Sequence, residues 1–365
     1  MDAVTMKRTC LYDKHVALGA LISPFGGFEM PIQYSDIISE HNAVRKACGV
    51  FDVSHMGDVN ITGPEAERFV QHIFTNNVAG AEYGKILYGM LLYPHGGVVD
   101  DLLVYVRNSH DYFLVINAGN IDKDVAWIEE QAQGFDVKIN HLSDRMGELA
   151  VQGPQAEAII ERALDIPCAE LAFYTFKELE YEGERILISR TGYTGEDGFE
   201  LYGSHDFIIR IWDKLLAAGV TPCGLGCRDT LRFEVGLPLY GHELSEDINP
   251  LEAGLGMFVK LDKEEFIGKE ALAQQKAEGL RRKVVGIELQ SRAIPRHGYE
   301  VESEGRVVGV VTTGYNAIST GKSVCMALVD IDVAALETPL QVRIHKRLHD
   351  GVVTKKRFYE KNYKK

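Results

Sequence analysis

The sequence predicts an α+β protein that ends in a small all-β domain. Helix-like and strand-like segments alternate twice between residues 6 and 275, a pattern typical of two related, interleaved α+β lobes. A charged, alanine-rich helix over residues 267–283 indicates a connector. Beyond it every segment is a short strand, which predicts a β-barrel or sandwich at residues 283–365.

The elements of the first lobe follow from hydrophobic periodicity and from helix-stop signals. Residues 40–49 predict a helix that Gly49 ends, and residues 51–63 alternate like a single strand. Further elements are expected in this order: a helix at residues 65–74 behind Pro64, strands beginning at Ile86 and Val98 on either side of the turn 94–97, a strand at 113–120 and a helix at 122–134.

The second lobe and the last domain continue the pattern. The second lobe is expected to hold a strand at residues 148–153, a helix at 154–164, two strands around Gly183, a strand at 199–202, a helix at 206–218 and, opened by Gly224, a helix up to Glu234. The strands of the last domain are expected at residues 284–289, 299–303, 306–314, 323–331 and 340–359.

Composition argues against several classes of function. The chain has 365 residues, is 45% hydrophobic and carries a formal charge of −14, which disfavours nucleic acid and anionic membranes as partners. It has neither a membrane-spanning apolar run nor a signal-peptide core near its start, so we expect a cytoplasmic protein. The cysteines are scattered, as free thiols in a reducing compartment are. Cys223 and Cys227 form a lone CxxxC, and no metal site is expected.

Nucleotide-binding motifs fail on spacing. GLGCRDT lacks the third glycine of a dinucleotide fingerprint, and the triplet Gly321-Lys322-Ser323 lacks the glycine that a phosphate loop places at residue 316. We therefore expect neither NAD nor ATP as a ligand.

The segment RTGYTGEDGFE, residues 190–200, is the strongest local signal of a binding site. Its glycines allow positive φ and a close approach of a flat ligand to the main chain. Tyr193 supplies an aromatic face, and the strand that follows puts the carboxylate of Glu200 beside the ring of Tyr202. A planar heterocycle with N–H donors would suit this pair. A ligand-free, acidic glycine hairpin accounts for the same residues equally well.

A second acidic strand is predicted at GGVVDDLLVY, residues 96–105. The period of two places Asp101, Leu103 and Tyr105 on one face and Asp100 on the other. Adjacent acids in an apolar strand are costly unless they are hydrogen-bonded or solvated. If the first face lines a cavity, Asp101 can orient a substrate nitrogen or take its proton. The alternative is that both acids lie at a solvated strand end.

The helix opened by GLGCRDTLRFE, residues 224–234, carries two arginines. Arg228 and Arg232 are four residues apart and therefore share a helix face. The planar fork of arginine suits carboxylates and phosphates, which indicates an anionic ligand. An ion pair with Asp229 or Glu234 is the alternative.

The segment FDVSHMG, residues 51–57, offers weaker candidates. Met56 can flank an aromatic ligand, with core packing as the default. His55 has no acid at a catalytic spacing and is expected to be structural. Together, two strands with an acid and an aromatic residue and a pair of arginines predict a site for an anionic, planar, nitrogen-rich ligand.

Nearly the whole chain resembles one family, the aminomethyltransferase or T-protein of the glycine cleavage system. The resemblance runs from MKRTCLYDKH at Met6 to the closing KKRFY, and its ordered motifs include MPIQY, FDVSHMG, GGVVDDLLVY, VQGP, RTGYTGEDGFE, GLGCRDTLRFE, PLYG, NPLEAGLG and VKLDKEEFIGKEAL. It implies a three-lobed ring of two α+β folate-binding lobes and a C-terminal β-barrel around a central folate pocket.

The resemblance also implies a reaction and its partners. The aminomethyl carbon on the lipoyl arm of the carrier (H) protein passes to tetrahydrofolate, which gives 5,10-methylene-tetrahydrofolate, ammonia and the dihydrolipoyl carrier during glycine catabolism. Glycine decarboxylase and dihydrolipoyl dehydrogenase are the functionally linked components. Tetrahydrofolate is the one-carbon acceptor, and the resemblance implies no metal.

Site residues are carried over from the resemblance position by position. Asp101 matches the essential aspartate beside the folate nitrogens, and Glu200 matches the glutamate that grips the pterin edge. Arg228 matches a folate-contacting arginine that answers the ligand's glutamate carboxylates. The matching pocket-wall residues are Met56, Tyr88, Leu103, Tyr105, Asn117 and Tyr193.

Two positions depart from the family. Phe173 stands where some relatives carry tyrosine, so that hydroxyl contact is absent. The chain ends KNYKK, whereas relatives often have an arginine there that meets the carboxylate of folate; Lys361 or Lys365 would supply only a point charge. The basic stretch at residues 355–357 is a candidate patch for an acidic partner. Residues 1–5 have no role that the sequence indicates.

Two other activities fit the same fold. A folate-binding assembly factor of iron–sulfur metabolism would carry a Lys-Gly-Cys-Tyr-x-Gly motif where this chain has Cys227 followed by Arg228. A folate-dependent demethylase would need only changes in the pocket wall.

Overall fold

The computed structural model describes residues 6–364. The α-helices in this range are α1 Tyr12–Ala17, α2 Ile37–Lys46, α3 Ala66–Ile73, α4 Ile121–Gln131, α5 Ala156–Leu164, α6 His205–Ala217, α7 Leu225–Glu234 and α8 Lys269–Glu278. The strands are β1 Leu21–Phe25, β2 Phe28–Gln33, β3 Gly49–Asp52, β4 Gly57–Thr62, β5 Ile86–Leu92, β6 Val98–Asn108, β7 Asp111–Ile116, β8 Lys138–His141, β9 Met146–Gln152, β10 Phe176–Tyr181, β11 Glu184–Ser189, β12 Gly198–Ser204, β13 Thr221–Pro222, β14 Arg282–Leu289, β15 Glu300–Ser303, β16 Arg306–Asn316, β17 Ser323–Asp330, β18 Pro339–Ile344 and β19 Arg347–Thr354.

These strands form a hairpin, two open sheets and a closed barrel. The hairpin is β1-β2, and the five-stranded sheet has the order β5-β6-β7-β4-β8. The six-stranded sheet has the order β10-β11-β12-β9-β3-β13. The last six strands close a barrel in the order β14-β17-β16-β15-β18-β19. The predicted α+β class with a C-terminal β-barrel is therefore confirmed.

The prediction of one strand at residues 51–63 is wrong, because the chain changes lobes there. Strand β3 pairs with β9 in the six-stranded sheet, whereas β4 pairs with β7 and β8 in the five-stranded sheet. A turn separates them, in which the N–H of Met56 donates to the carbonyl of Val53 at 3.0 Å. The lobes therefore interleave along the sequence, and residues 53–56 bridge the two sheets.

The stretch 340–359, expected to be all strand, divides into a hairpin and a tail. Strands β18 and β19 form the hairpin, with Ile344 opposite Arg347 at its turn. We call residues 355–364 the C-terminal tail, because they leave the barrel and return to the second lobe. There the N–H groups of Phe358 and Tyr359 each donate to the Glu234 carbonyl at 2.8 Å.

Helices cover one face of each open sheet and leave the other face free for a site. Helices α3 and α4 bury Leu102 and Val104 of β6 in the core of the first lobe. Helices α5 and α6 bury Phe199 and Leu201 of β12 in the core of the second lobe. Each such side chain contributes about 1.5–3 kcal/mol to stability. Because side chains alternate along a strand, the residues between them face away from the helices.

Within residues 6–364, no helix has the length and apolar character needed to cross a membrane.

Candidate functional site

A cavity of about 1040 Å³ lies where the two lobes, the segment after α7 and the C-terminal tail meet. A volume of this order suits a ligand of coenzyme size. Eight of the nine residues expected at the site line it: Met56, Tyr88, Asp101, Leu103, Asn117, Tyr193, Glu200 and Arg228.

Tyr105 does not line the cavity, and its expected place is corrected. Its side chain is fully buried among aromatic rings, 5.5 Å from Phe113 and 5.3 Å from Phe176 between ring centroids. Its hydroxyl hydrogen-bonds to that of Tyr202 at 2.8 Å, and Tyr202 does line the cavity. The period of two placed Tyr105 on the correct face, but the two sheets close together at that point.

Asp101 faces the cavity, and each of its carboxylate oxygens accepts a hydrogen bond. The hydroxyl of Tyr88 donates to Oδ2 at 2.9 Å, and the side-chain amide of Asn117 donates to Oδ1 at 3.0 Å. Asp100, on the opposite face of β6, is fully buried. The alternative of two acids at a solvated strand end is therefore wrong.

The surroundings of Asp101 shift its protonation towards neutral pH. Burial and then the neighbouring charge of Asp100 raise the pKa of Asp101 to about 7, while the hydrogen bonds from Tyr88 and Asn117 oppose the rise. A group with a pKa close to the working pH is suited to take up and release a proton. Asp101 can therefore act as a general base or acid towards a ligand in the cavity.

Glu200 and Tyr202 form what we call the acidic wall of the cavity, on the six-stranded sheet. They lie on one face of β12, as the period of two predicts, while Leu201 points into the core. The hydroxyl of Thr191 donates a hydrogen bond to Glu200 Oε2. Burial raises the pKa of Glu200, whereas this hydrogen bond and the charge of Arg228 lower it. Glu200 thus offers a buried carboxylate to a ligand N–H.

The glycines of residues 190–200 serve packing more than the approach of a ligand. A Cβ at Gly192 would lie 2.0 Å from Oε1 of Gln152, and one at Gly198 would lie 2.5 Å from its Nε2. Only Gly195 among the three has a positive φ, of +85°. Gly192 is the one that lines the cavity. The expected reason for these glycines is therefore corrected: most of them make room for the Gln152 side chain.

Arg228 and Arg232 have different environments, although they share one helix. Arg232 is fully buried and pairs with Asp229 at 2.7 Å and with Glu243 at 2.9 Å, so the ion-pair alternative holds for this residue. None of the ion pairs among residues 6–364 involves Arg228. Its guanidinium instead lies 4.7 Å from the centre of the Tyr193 ring, and its charge acts on the acidic wall. Of the two arginines, Arg228 is therefore the one available to a ligand.

Two buried polar side chains at the cavity were not predicted as site residues. Glu148 and His55 line it and are only 3% and 2% exposed. Glu148 Oε2 and His55 Nδ1 have no hydrogen-bond partner among residues 6–364. Such an atom costs about 1–3 kcal/mol, which a ligand or water in the cavity would recover. No local pattern marks the face of Glu148 as a cavity wall, because the opposing sheet comes from another part of the chain.

Burial shifts both of these groups towards their neutral forms. Burial and then the charge of Glu200 raise the pKa of Glu148 well above its usual range. Burial lowers the pKa of His55 to about 4. They can therefore serve as neutral hydrogen-bonding groups towards a polar ring.

The C-terminal tail supplies cations and an aromatic ring to the cavity. The ring of Tyr363 stacks on Phe173 at a centroid distance of 4.3 Å, so the departure from tyrosine at residue 173 still gives an aromatic wall. At the end of the tail, Lys364 forms an exposed ion pair with Glu157 at 2.8 Å. Lys365 and residues 1–5 lie outside the described range. The cations that line the cavity are Lys355, Lys356, Arg357 and Lys361.

One cluster of potential metal ligands lies away from the cavity. Glu40, Cys223 and Cys227 are buried, with ligand atoms within 4.8 Å of one another. The carboxylate of Glu40 accepts hydrogen bonds from three backbone N–H groups at 2.6 to 3.0 Å. Glu40 therefore has a structural role, in which it holds the backbone N–H groups of residues 34, 35 and 224.

Comparison with known proteins identifies the family of the chain. Two family models match the chain, the GCVT N-terminal domain over residues 11–263 and the glycine cleavage T-protein C-terminal barrel domain over residues 282–360. An aminomethyltransferase from Alkaliphilus oremlandii is 50% identical over 365 residues, covering 99% of both chains. One from Bacillus subtilis is 48% identical over 362 residues, covering 98% of this chain and 100% of the relative.

A solved structure has the same fold over its full length. The crystal structure of the glycine cleavage system aminomethyltransferase T from Bartonella henselae matches with a TM-score of 0.94 and 33% identity, covering 99% of this chain and 100% of that chain. Both lobes and the barrel are included in this match. The chain therefore belongs to the glycine cleavage T-protein family of aminomethyltransferases.

Proposed function

We propose that this chain transfers an aminomethyl carbon from a lipoyl-bearing carrier protein to tetrahydrofolate bound in the cavity. The curated relatives are named aminomethyltransferases, and the family and the solved relative carry the glycine cleavage system in their names. The products are 5,10-methylene-tetrahydrofolate, ammonia and the dihydrolipoyl carrier. The reaction serves glycine catabolism.

The observation that carries the proposal is that one cavity is lined both by carboxyl groups and by basic residues of the C-terminal tail. The acidic wall and Glu148 offer carboxyl groups to an edge rich in N–H donors, which is the character of a pterin ring. The C-terminal tail brings basic residues, among them Lys355 and Lys361, to the cavity lining, and tetrahydrofolate carries carboxylates on its glutamate. A cavity of about 1040 Å³ has room for both ends and for the ring between them.

Aromatic and apolar side chains are suited to hold the ring system between these charges. Tyr88 and Phe258 meet edge to face at 4.8 Å, and Tyr193 carries Arg228 on its face. Packing of this kind contributes about 0.5–1.5 kcal/mol for each aromatic pair. Met56 and Leu103 complete the proposed wall from the turn and from β6.

Arg228 is assigned a different partner from the one that the resemblance implies. It lies against Tyr193 and acts electrostatically on Glu200 and His55. We therefore propose that it binds a polar group of the pterin ring. The glutamate carboxylates are left to the cations of the C-terminal tail, including Lys361.

Asp101 is the proposed catalytic residue. Bound tetrahydrofolate supplies the nucleophilic nitrogen. The Asp101 carboxylate, fixed by Tyr88 and Asn117, accepts a hydrogen bond from that nitrogen and orients it towards the aminomethyl carbon. With its pKa near neutrality, the same carboxyl can take the nitrogen's proton and return one to the departing amine. Positioning and proton transfer are thereby assigned to one residue.

The carrier (H) protein is the proposed partner, with glycine decarboxylase and dihydrolipoyl dehydrogenase as linked components. The carbon to be transferred arrives on a lipoyl arm and has to reach Asp101 inside the cavity. The carrier protein therefore needs only to dock near a cavity opening.

The test is ammonia release from an aminomethyl-lipoyl carrier protein, with and without tetrahydrofolate, by the wild type and by Asp101→Asn. We expect fast release that requires tetrahydrofolate and that the variant loses. Release at the same rate without tetrahydrofolate would contradict the proposal. If folate bound tightly but no ammonia were released from the carrier, the cavity would still be a folate site. The activity would then be that of a demethylase or an assembly factor.

A further inference from the structure

A hydrogen-bonded group lies behind Asp101, on the side away from the cavity. The side-chain amide of Asn117 donates to Asp100 Oδ1 at 2.9 Å and to Asp101 Oδ1 at 3.0 Å. The backbone N–H of Asn117 donates to Asp100 Oδ2 at 2.9 Å. A single asparagine therefore ties the cavity-facing carboxylate to the buried one.

Asp100 also contacts a second buried acid. Asp124 projects from α4 and is fully buried. It lies beside the start of β6, because Lys123 Nζ donates to the carbonyl of Val99 as well as to Asp124. Burial and then the neighbouring Asp100 carboxyl, through its charge and its hydrogen bond, raise the pKa of Asp124. Lys123 Nζ donates to Asp124 Oδ1 at 2.6 Å. Oδ2 of Asp124 has no N–H or hydroxyl donor among residues 6–364. An oxygen in this position is satisfied if it carries a proton and donates it to Asp100.

The hydrogen bonds decide which of the two acids holds the proton. Asp100 accepts three N–H bonds, two from Asn117 and one from Asn120 at 2.7 Å, and such bonds favour the ionised form. Two neighbouring buried carboxyl groups cannot both be ionised without a large cost in free energy. Burial and then the charge of Asp100 raise the pKa of Asp124 well above its usual range, against the effect of Lys123.

We propose that Asp100 and Asp124 share one proton, held on Asp124, and that this pair positions Asp101 through Asn117 while keeping a single negative charge beside it. Asp100 and Asp124 are then positioning residues, because neither touches the ligand. The catalytic part of this inference rests on the proposed function, since it concerns the carboxyl assigned to proton transfer.

The sign of the effect on Asp101 follows from the groups around it. The negative charge of Asp100 disfavours ionisation of Asp101, so neutralising Asp100 lets Asp101 lose its proton at a lower pH. The titratable and charged groups that face Asp101 or the pair behind it are Tyr88, Asp100, Lys123, Asp124, Tyr174, Tyr193 and Tyr240.

The first experiment follows the carboxyl of Asp101 directly in the full chain, without any ligand. Aspartate carboxyl carbons are isotope-labelled and titrated by NMR, and the Asp101 signal is assigned by its loss in Asp101→Asn. We expect Asp100→Asn to lower the pKa of Asp101 by about one unit or more. The acidic limb of the kcat profile should move to lower pH by the same amount. An unmoved Asp101 titration in a folded Asp100→Asn protein overturns the inference.

The second experiment needs no change at Asp100. In the wild type near neutral pH, the signal that disappears in Asp124→Asn should have the shift of a protonated carboxyl. Asp124→Ala should lower both kcat and Tm, and Asp124→Asn should restore most of the loss because its amide can donate to Asp100. Asp122→Asn, at an exposed position of the same helix, is the matched control and should change neither. An ionised Asp124, or equal losses in the alanine and asparagine variants, overturns the inference.

The proposed function and the shared proton can be disproved separately. Absence of tetrahydrofolate-dependent ammonia release in the wild type would remove the proposed function, while the NMR titrations would still decide the shared proton. Release in the wild type, together with an ionised Asp124, would keep the function and remove the shared proton.

Discussion

At the scale of single residues, Asp101 shows how neighbours define the chemistry of a carboxyl group. Tyr88 and Asn117 each hold one of its oxygens, while Asp100 and burial raise its pKa to about 7. Burial raises the pKa of Glu200 as well, but the hydrogen bond from Thr191 and the charge of Arg228 oppose that rise. Two acids at one cavity are thus suited to different tasks, one to proton transfer and the other to binding.

Replacing the Asp101 carboxyl should separate catalysis from binding. We expect Asp101→Asn to lower kcat by about 10²–10⁴-fold, since asparagine keeps the shape but cannot take a proton. The Kd of tetrahydrofolate should change far less. Ammonia-release kinetics and calorimetric titration measure the two quantities. If affinity and turnover fell together, Asp101 would be an anchor and not a catalyst.

Removing the cation at the acidic wall should act mainly on binding. Arg228→Ala is expected to weaken tetrahydrofolate binding by about 1.5–3 kcal/mol, because a polar ligand group loses a charged hydrogen-bond donor. Arg228→Lys should recover only part of the loss, since it lacks the planar fork. Arg292→Ala, at an exposed position, is the control. Unchanged affinity in Arg228→Ala would assign Arg228 to packing on Tyr193 alone.

At the scale of elements, one buried ion cluster and its hydrogen bonds join four parts of the chain. Arg45 of α2 pairs with Glu196 at 3.0 Å and with Glu234 of α7 at 3.2 Å. Glu234 also accepts hydrogen bonds from Ser319, in the loop between β16 and β17, through its backbone N–H at 2.8 Å and its hydroxyl. The cluster therefore fixes the barrel and the glycine-rich segment against the helix that carries Arg228.

Neutralising Glu234 should destabilise the fold in a pH-dependent way. Although burial opposes it, the hydrogen bond and charge of His41 and the bonds from Ser319 lower the pKa of Glu234 to about 2. We expect Glu234→Gln to cost about 3–5 kcal/mol of unfolding free energy near neutral pH, because Arg45 loses a buried partner. Glu129→Gln, on an exposed face of α4, should cost little.

The loss of stability in Glu234→Gln should depend on pH in a defined direction. A carboxyl with a lowered pKa in the folded state stabilises fully above its unfolded pKa, here 4.5, and loses this contribution as the pH falls towards 2. The stability difference between the wild type and Glu234→Gln should therefore shrink on acidification over that window. Urea unfolding at several pH values measures it, and a difference that stayed constant would contradict the assignment.

At the scale of the whole molecule, the C-terminal tail completes a cavity wall that the two lobes begin. It leaves the barrel at residue 355, hydrogen-bonds to α7 and ends against α5 through Lys364 and Glu157. Its cations and the ring of Tyr363 become part of the cavity wall. Binding at the acidic wall and order in the tail should therefore be linked.

Shortening the tail tests this link. Deleting residues 361–365 removes Lys361 and the stack of Tyr363 on Phe173, while the bonds of residues 358 and 359 to α7 remain. We expect tetrahydrofolate affinity to fall about tenfold, or about 1.4 kcal/mol, with the fold retained. Lys364→Ala, which removes only an exposed ion pair worth about 0–1 kcal/mol, is the control. An unchanged Kd of tetrahydrofolate after the deletion would show that residues 361–365 have no role in binding.

Local periodicity was sufficient for much of the fold and for part of the site. The face of β6 that carries Asp101 and Leu103 and the face of β12 that carries Glu200 and Tyr202 were both predicted, because alternation in a strand needs no knowledge of distant residues. The strands of the barrel and the main helices followed from the same kind of pattern. The resemblance to the family added which of these faces meet around one cavity.

What the sequence by itself determined is most of the helices and strands, their buried faces and the residue types offered on the other faces, since these depend on neighbours within a few positions. It did not predict α1, the β1-β2 hairpin, β8 or β13. Only the tertiary structure decided the change of lobes at residues 53–56, the burial of Tyr105, the division of labour between Arg228 and Arg232, and the place of Glu148 in the cavity wall. The physical reason is the same in each case: burial, ion pairing and pKa are set by groups that come from distant parts of the chain.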